Sequence, residues 1–143
     1  PQVFGFNWAT DDLLVKACGP AAKNYIGSGF VGSWTDDTPG IKLVREIAKK
    51  YNRNPKLTSL YIGGVGVSML FAEAIKRAGK DLTPDTLKNA LETFRDFDTG
   101  GIFPLVTYTS KSHAPAKKVK LFKADVEKKC LVPLTGWRSP KDL

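Results

Sequence analysis

The sequence is poor in the side chains that do chemistry. Its 143 residues contain one histidine, His113, and two cysteines, Cys18 and Cys130, which form no CxxC pair. Zinc-ribbon and thioredoxin-type sites are therefore excluded. An HExxH helix and a second carboxylate loop to partner Asp98 are also missing, so Asp98-Thr99-Gly100-Gly101 shares letters with an aspartic-protease motif and nothing more. It reads as a turn into a strand. Gly63-Gly64-Val65-Gly66 lacks the GxxxxGK[ST] spacing of a phosphate loop, since Lys76 comes ten residues too late. Close helix packing, with another backbone near the glycines, is the expectation there. His113 could pair with Ser110, Ser112 or a cysteine, but no orienting acid is suggested and His113-Ala114-Pro115 reads as a loop. The chain reads as a non-enzyme, with no metal or cofactor site.

Long hydrophobic runs are scarce as well. The most apolar, residues 60–74, is about five residues short of the ~20 needed to span a bilayer and carries Glu73, so a buried helix is expected. The start, PQVFGFNWATDD, shows no basic n-region or cleavage site, as would also hold for a mature protein. There is no internal repeat and no low-complexity tract. With 42% apolar and 25% charged residues the chain can build a core. The net charge of +8 is concentrated late: from Tyr108 onward nine Lys or Arg face three acidic residues. That basic tail suits either a solvated strand pair or contact with phosphate and anionic lipid.

The pattern alternates strand and helix. Residues 2–6 form a β-like run, and Thr10 is expected to cap a helix with Asp11 and Asp12 in its first turn. Gly19-Pro20 interrupts that helix, and residues 29–34 (GFVGSW) read as a second strand. Thr38-Pro39 starts a helix with a stripe of Ile41, Val44, Ala48 and Tyr51. A helix follows from about 60 to 78, stopped by Gly79. Thr83-Pro84-Asp85 opens the next, with Leu87, Ala90, Leu91 and Phe94 as its buried stripe. From Gly101 the pattern changes to strands: GIFPLVTYT, then KVKLFKA and CLVPLTGW as a hairpin. In that hairpin Val119 and Leu121 alternate with lysines, and Cys130, Val132 and Leu134 with other residues. The class is α/β or α+β, with too few parallel strands for a complete doubly wound domain.

Asn7-Trp8 is the leading candidate site. It directly follows a strand and precedes a helix, and ligands of α/β sheets sit beyond the carboxyl ends of strands. An amide can orient a polar group and an indole can cover an apolar one. The alternative places Trp8 in the core and Asn7 in a turn. Trp34, within Ser33-Trp34-Thr35 at the end of the second strand, follows the same logic.

Several stretches, in this order, resemble the C-terminal portion of branched-chain amino-acid-type solute-binding proteins of ABC importers. They are Gly19-Pro20-Ala21-Ala22, the helix end Ala74-Ile75-Lys76-Arg77-Ala78-Gly79, Leu82-Thr83, Leu87 to Glu92 and Phe97-Asp98-Thr99-Gly100-Gly101 followed by the His113 loop. The resemblance implies a type I two-lobed fold of which this is less than half: residues 1–35 finish the second lobe, 36–107 return to the first, and 108–143 cross back as a hairpin. It implies a small-molecule ligand, a membrane permease partner, a missing N-terminal portion and a bacterial periplasmic or surface-anchored location. Asn7, Trp8 and Trp34 would bind the ligand. The family often has an acidic residue where Asn7 stands, to meet a ligand's α-ammonium; an amide there, with Trp8 and the His113 loop, is similar to relatives that take aromatic or other organic acids, while a branched-chain amino acid stays open. Cys18 and Cys130, both assigned to the second lobe, would be placed to form a disulfide. A sensor domain of the same fold is a near alternative. The alternative from another class is a basic nucleic-acid-binding module, which needs exposed aromatics among the late lysines; only Phe122 and Trp137 are available.

Overall fold

The computed structural model describes residues 1–52, 58–115, 117–139 and 141. Four helices, α1 (Asp12–Cys18), α2 (Pro39–Tyr51), α3 (Ser59–Ala78) and α4 (Pro84–Leu91), accompany four strands, β1 (Val3–Gly5), β2 (Tyr25–Gly29), β3 (Lys120–Asp125) and β4 (Cys130–Pro133). The strands form one mixed sheet in the order β1-β2-β3-β4. β1 and β2 are parallel; β2–β3 and β3–β4 are antiparallel. This is an α/β structure.

Its apolar side chains separate into two clusters. A sheet unit gathers Val15 of α1, Ala22, Tyr25, Phe122 and Leu131. A helical unit gathers Ile41 and Val44 of α2, Ile62, Leu70 and Ala74 of α3, then Phe94, Ile102, Phe103 and Val106. Helical periodicity placed Ile41, Val44 and Phe94 of the second set, whereas Ile102, Phe103 and Val106 were expected on a strand. Thr83 caps α4 through a reciprocal box with Thr86, Pro84 starts it, and Ala90 and Phe94 are buried while Leu87 and Leu91 pack beside them. Tyr51, expected on the α2 stripe, is 73% exposed at the helix end.

The strands are less obedient. The second strand is not residues 29–34 but Tyr25–Gly29, whose side chains alternate between buried and half-buried. After Gly29 the chain turns, with the Asp36 N–H donating to the Ser33 carbonyl (3.0 Å), and strand pairing ends. The stretch after Gly101 is not a strand either; it makes only isolated bridges, Phe97 to Val106 and Thr109 to Ser112, among the described residues. Ile102, Phe103 and Pro104 are buried in succession, which a two-residue period cannot give, and Pro104 has no N–H for a ladder. The hairpin forms where expected, closed by the Lys128 N–H donating to Asp125 (2.9 Å), but with the opposite face inward. Phe122 and Leu131 fill the core, while Leu121, Cys130 and Val132 are half-buried on the other face. Phe122 is thus no stacking platform, and Trp137 lies under the Lys120 ammonium, 4.9 Å from the ring centre.

The inward face is set by Lys120, whose ammonium meets the Asp36 carboxylate at 2.7 Å with side-chain exposures of only 11% and 4%. The same carboxylate accepts the Ser33 N–H (3.2 Å), and Arg45 donates to the Trp34 and Asp36 carbonyls. Asp36 lies on the segment leading to α2, so this dry ion pair ties the helical unit to the sheet.

The glycines of α3 do not seat another backbone. A Cβ on Gly66 would meet the side chains of Phe103 (2.5 Å) and Ile102 (2.6 Å), Gly63 would meet Val31 at 3.7 Å, and Gly64 faces open space. Backbone-to-backbone approach occurs instead at Asp98-Thr99-Gly100-Gly101. Gly100 and Gly101 have φ of 70° and 87°, and the Gly40 N–H donates to the Gly100 carbonyl (2.8 Å). Asp98 closes this turn by accepting the Gly100 N–H. α3 itself is long and apolar enough to cross a bilayer by length and composition, yet it buries only one face: Ile62, Gly66, Leu70 and Ala74 are inside, Leu60, Val67 and Phe71 outside.

The cysteines are free thiols, Cys18 exposed and Cys130 half-buried, so the disulfide implied by the resemblance is not formed. Cys130 lies by Asp12 at the start of α1, whereas Cys18 ends that helix about 9 Å further along its axis. Burial, with Asp12 and Asp125 nearby, pushes the Cys130 thiol pKa up.

Two substitutions in α3 should part company in urea denaturation. Gly64→Ala should gain about 0.5–1 kcal/mol by relieving the mid-helix glycine, while Gly66→Ala should lose stability by driving a methyl into Phe103. Asp36→Ala should cost about 3–5 kcal/mol by leaving the Lys120 ammonium buried and alone, and Asp36→Ala with Lys120→Met should recover much of that loss.

Candidate ligand cleft

A cleft of about 480 Å³ opens beyond the carboxyl ends of β1 and β2, between the start of α1 and the N-terminal half of α3. Its volume falls in the range of small-molecule sites. The walls are mainly apolar: Trp8, Leu13, Phe30, Leu60, Val67 and Phe103 supply most of them. Gly63 and Gly64 also line it, so the glycine run makes room for the cavity. Asp11 is the one ionisable side chain among the described lining residues, and Asn7, Thr58 and Ser59 add polar groups.

Asn7 and Trp8 arrive there because β1 ends in a short 3-10 turn, Asn7–Ala9. Thr10 does not cap α1. It is 6% exposed and its hydroxyl donates to the Ser28 carbonyl (2.8 Å), which fastens the turn to β2. The Tyr25 hydroxyl donates to the Ala9 carbonyl (2.7 Å) and holds the turn from the other side. The Gly5 and Gly27 positions leave room for Tyr25 and Thr10 respectively; a Cβ on either glycine would overlap them. Trp8 is therefore held at the rim on a rigid turn while its indole is 73% exposed, which removes the core reading of this residue. Asn7 is half-buried and lines both this cleft and a smaller cavity of about 30 Å³ behind it.

Trp34 is placed differently. It lines the small cavity, not the large cleft; its indole N–H donates to the Thr58 carbonyl (3.2 Å) and its ring lies 5.8 Å from that of Tyr61. It braces the start of α3 from behind.

Asp11 is the α1 N-cap. Its Oδ1 accepts the Leu13 N–H (2.9 Å), and its Oδ2 accepts both the N–H (2.6 Å) and the hydroxyl (2.8 Å) of Ser59 at the start of α3. Asp12 turns the other way and accepts the Leu131 N–H of β4 (2.7 Å); burial dominates its surroundings and raises its pKa. Sequence reasoning took both carboxylates as helix-dipole charges and missed that they clamp different partners. Phe30 and Phe103 were also missed, because both fell in stretches read as strands. His113 stands away from the cleft lining. Its ring nitrogen lies 2.8 Å from the Glu92 carboxylate at the end of α4, so an acid does accompany it.

The profile of the periplasmic binding proteins matches residues 1–129. The chain belongs to that family. Its members are periplasmic, that is extracytoplasmic, binding proteins. Solved structures agree in fold. A branched-chain amino acid ABC transporter protein from Thermus thermophilus, crystallised with valine, is 24% identical with a TM-score of 0.86 over 96% of this chain and 39% of its own. A fatty acid ABC transporter substrate-binding protein from Thermomonospora curvata is 21% identical, with a TM-score of 0.73 over 98% of this chain and 37% of its own. A leucine-binding protein from Thermotoga maritima is 17% identical, with a TM-score of 0.74 over 99% and 38%. A search of curated protein sequences found no match. The chain therefore spans less than two-fifths of the length of these relatives, which this periplasmic binding protein matches along nearly all of its own.

The pinned turn yields a direct check. Thr10→Val keeps the shape and strands the Ser28 carbonyl, so it should cost about 1–3 kcal/mol in denaturant melts.

Proposed function

We propose that these residues are part of the solute-binding subunit of an ABC importer and that the 480 Å³ cleft holds its cargo, a small organic molecule with a large apolar body. A branched-chain or other hydrophobic amino acid, or an aromatic acid, fits that description. The observation that carries the reading is the cleft itself: apolar walls, an amide and an exposed indole presented on a fastened turn beyond a strand end, in a chain of this family. Trp8 covers the apolar body, Asn7 orients a polar group, and Trp34 supports the wall from behind. Asn7 carries no charge, so an ammonium on the ligand would meet Asp11 or a group in the remainder of the chain.

The fully buried members of the two apolar clusters support a division into lobes, with residues 1–35 and 108–143 in one and 36–107 in the other, while Val31, Trp34 and Tyr108 at the borders pack against the helical cluster. Capture is then closure of two lobes on a hinge, without a chemical step. A permease in the membrane receives the cargo, the rest of the protein completes both lobes, and the subunit works in the periplasm or anchored at the cell surface.

A thermal-shift screen of the complete gene product with hydrophobic amino acids and aromatic acids tests this. One ligand class should raise the melting temperature. Trp8→Ala should weaken that ligand about tenfold or more, the worth of a covered aromatic contact, with little change in unliganded stability. No stabilisation by any ligand, or an unchanged affinity in the variant, overturns the assignment.

A further inference from the structure

Backbone carbonyls accept several hydrogen bonds between the sheet unit and the helical unit, among them Gly32 N–H to Ile102 (2.8 Å) and the Trp34 indole N–H to Thr58 (3.2 Å), and two further contacts rest on carboxylates and differ in character. The Lys120–Asp36 pair is dry, with both side chains buried. The Asp11–Ser59 contact is not: both residues are half-buried and both line the 480 Å³ cleft. Between them lies the 30 Å³ cavity, lined by Asp11 and Ser59 and also by Ser33 and Trp34, the neighbours of Asp36.

Resting on the reading of the cleft as a site of ligand capture, we propose that Asp11 is a positioning residue that latches the cleft in the arrangement seen here, with the Lys120–Asp36 joint as the fixed side of the motion. The division of labour within one carboxylate argues for it. Oδ1 serves α1 of its own unit through the Leu13 N–H, while Oδ2 alone spans to α3 through two Ser59 donors. Breaking the second set leaves α1 capped. It also leaves α3 capped, because the Thr58 hydroxyl accepts the Tyr61 N–H independently. The groups set free from this contact are a carboxylate oxygen, one N–H and one hydroxyl at a water-accessible wall, so water can take over each bond of the Asp11–Ser59 pair. No such exchange is open to the Lys120 ammonium, which opening would strand in an apolar surrounding. The latch is thus reversible and the joint is not, and the equilibrium between open and closed cleft, hence apparent ligand affinity, is set partly by Asp11.

The test uses the complete gene product with its other cysteines, Cys18 and Cys130 included, replaced by serine. Spin labels are placed at Asn89→Cys on α4 and Glu127→Cys in the β3–β4 turn, both exposed sites in different units. Inter-label distances are measured without ligand in the parent and in Asp11→Asn and Ser59→Ala variants. Asparagine still caps α1, and Ser59→Ala leaves α1 untouched, so neither change acts through unravelling of that helix. Both variants should broaden the distance distribution or move it by several Å, Asp11→Asn more than Ser59→Ala. Unchanged distributions in both overturn the latch, including the case in which affinity falls and Asp11 merely touches ligand. Shifted distributions in a protein that binds none of the screened ligands uphold the latch and remove the capture reading instead.

Discussion

The buried ion pair between Lys120 and Asp36 is the constraint around which the molecule is arranged. A lysine on the inner face of a strand must find a partner there, and the partner comes from the segment that leaves the sheet for α2. Meeting that demand fixes the inward face of β3 and, through pairing, of β4. It also brings Ser33 and Arg45 into the same knot and positions Trp34 to brace the start of α3. The cleft exists because the two units are tied at this joint while their apolar clusters remain separate.

What the sequence made legible was the part governed by local rules. Helix stripes, the Thr83 cap with Pro84, the first strand and the hairpin follow from spacing and turn chemistry. The errors lie where a distant partner decided the outcome. The hairpin face was misjudged because Val119 and Leu121 look like an inward pair until Asp36 claims Lys120. The Ile102-Phe103-Pro104 run looks like a strand until the Gly100–Gly40 contact swings it into the helical core. Of the candidate site, Asn7 and Trp8 could be found from their place after a strand. Phe103, Ser59 and the double role of Asp11 could not, since each depends on which elements meet across the cleft.

The charge of the protein and the charge of its cleft are unrelated. A basic surface of +8 overall surrounds a cavity whose described lining offers no cation and one carboxylate already engaged with two helix starts. Under the proposed reading, selection of a ligand by such a wall would rest on shape and apolar area more than on ion pairing.

Strand β1 has β2 on one side and, among the described residues, no strand on the other. Val3, Phe4 and Phe6 stand exposed along it. Pairing at such a border would make folded-state stability a function of concentration. Any extended segment that pairs with β1, whether from the same polypeptide or from a second molecule, acts as a ligand of the folded form and stabilises it by mass action. The border that would receive a neighbouring strand in a completed sheet would, left open, drive edge-to-edge association of the protein with itself.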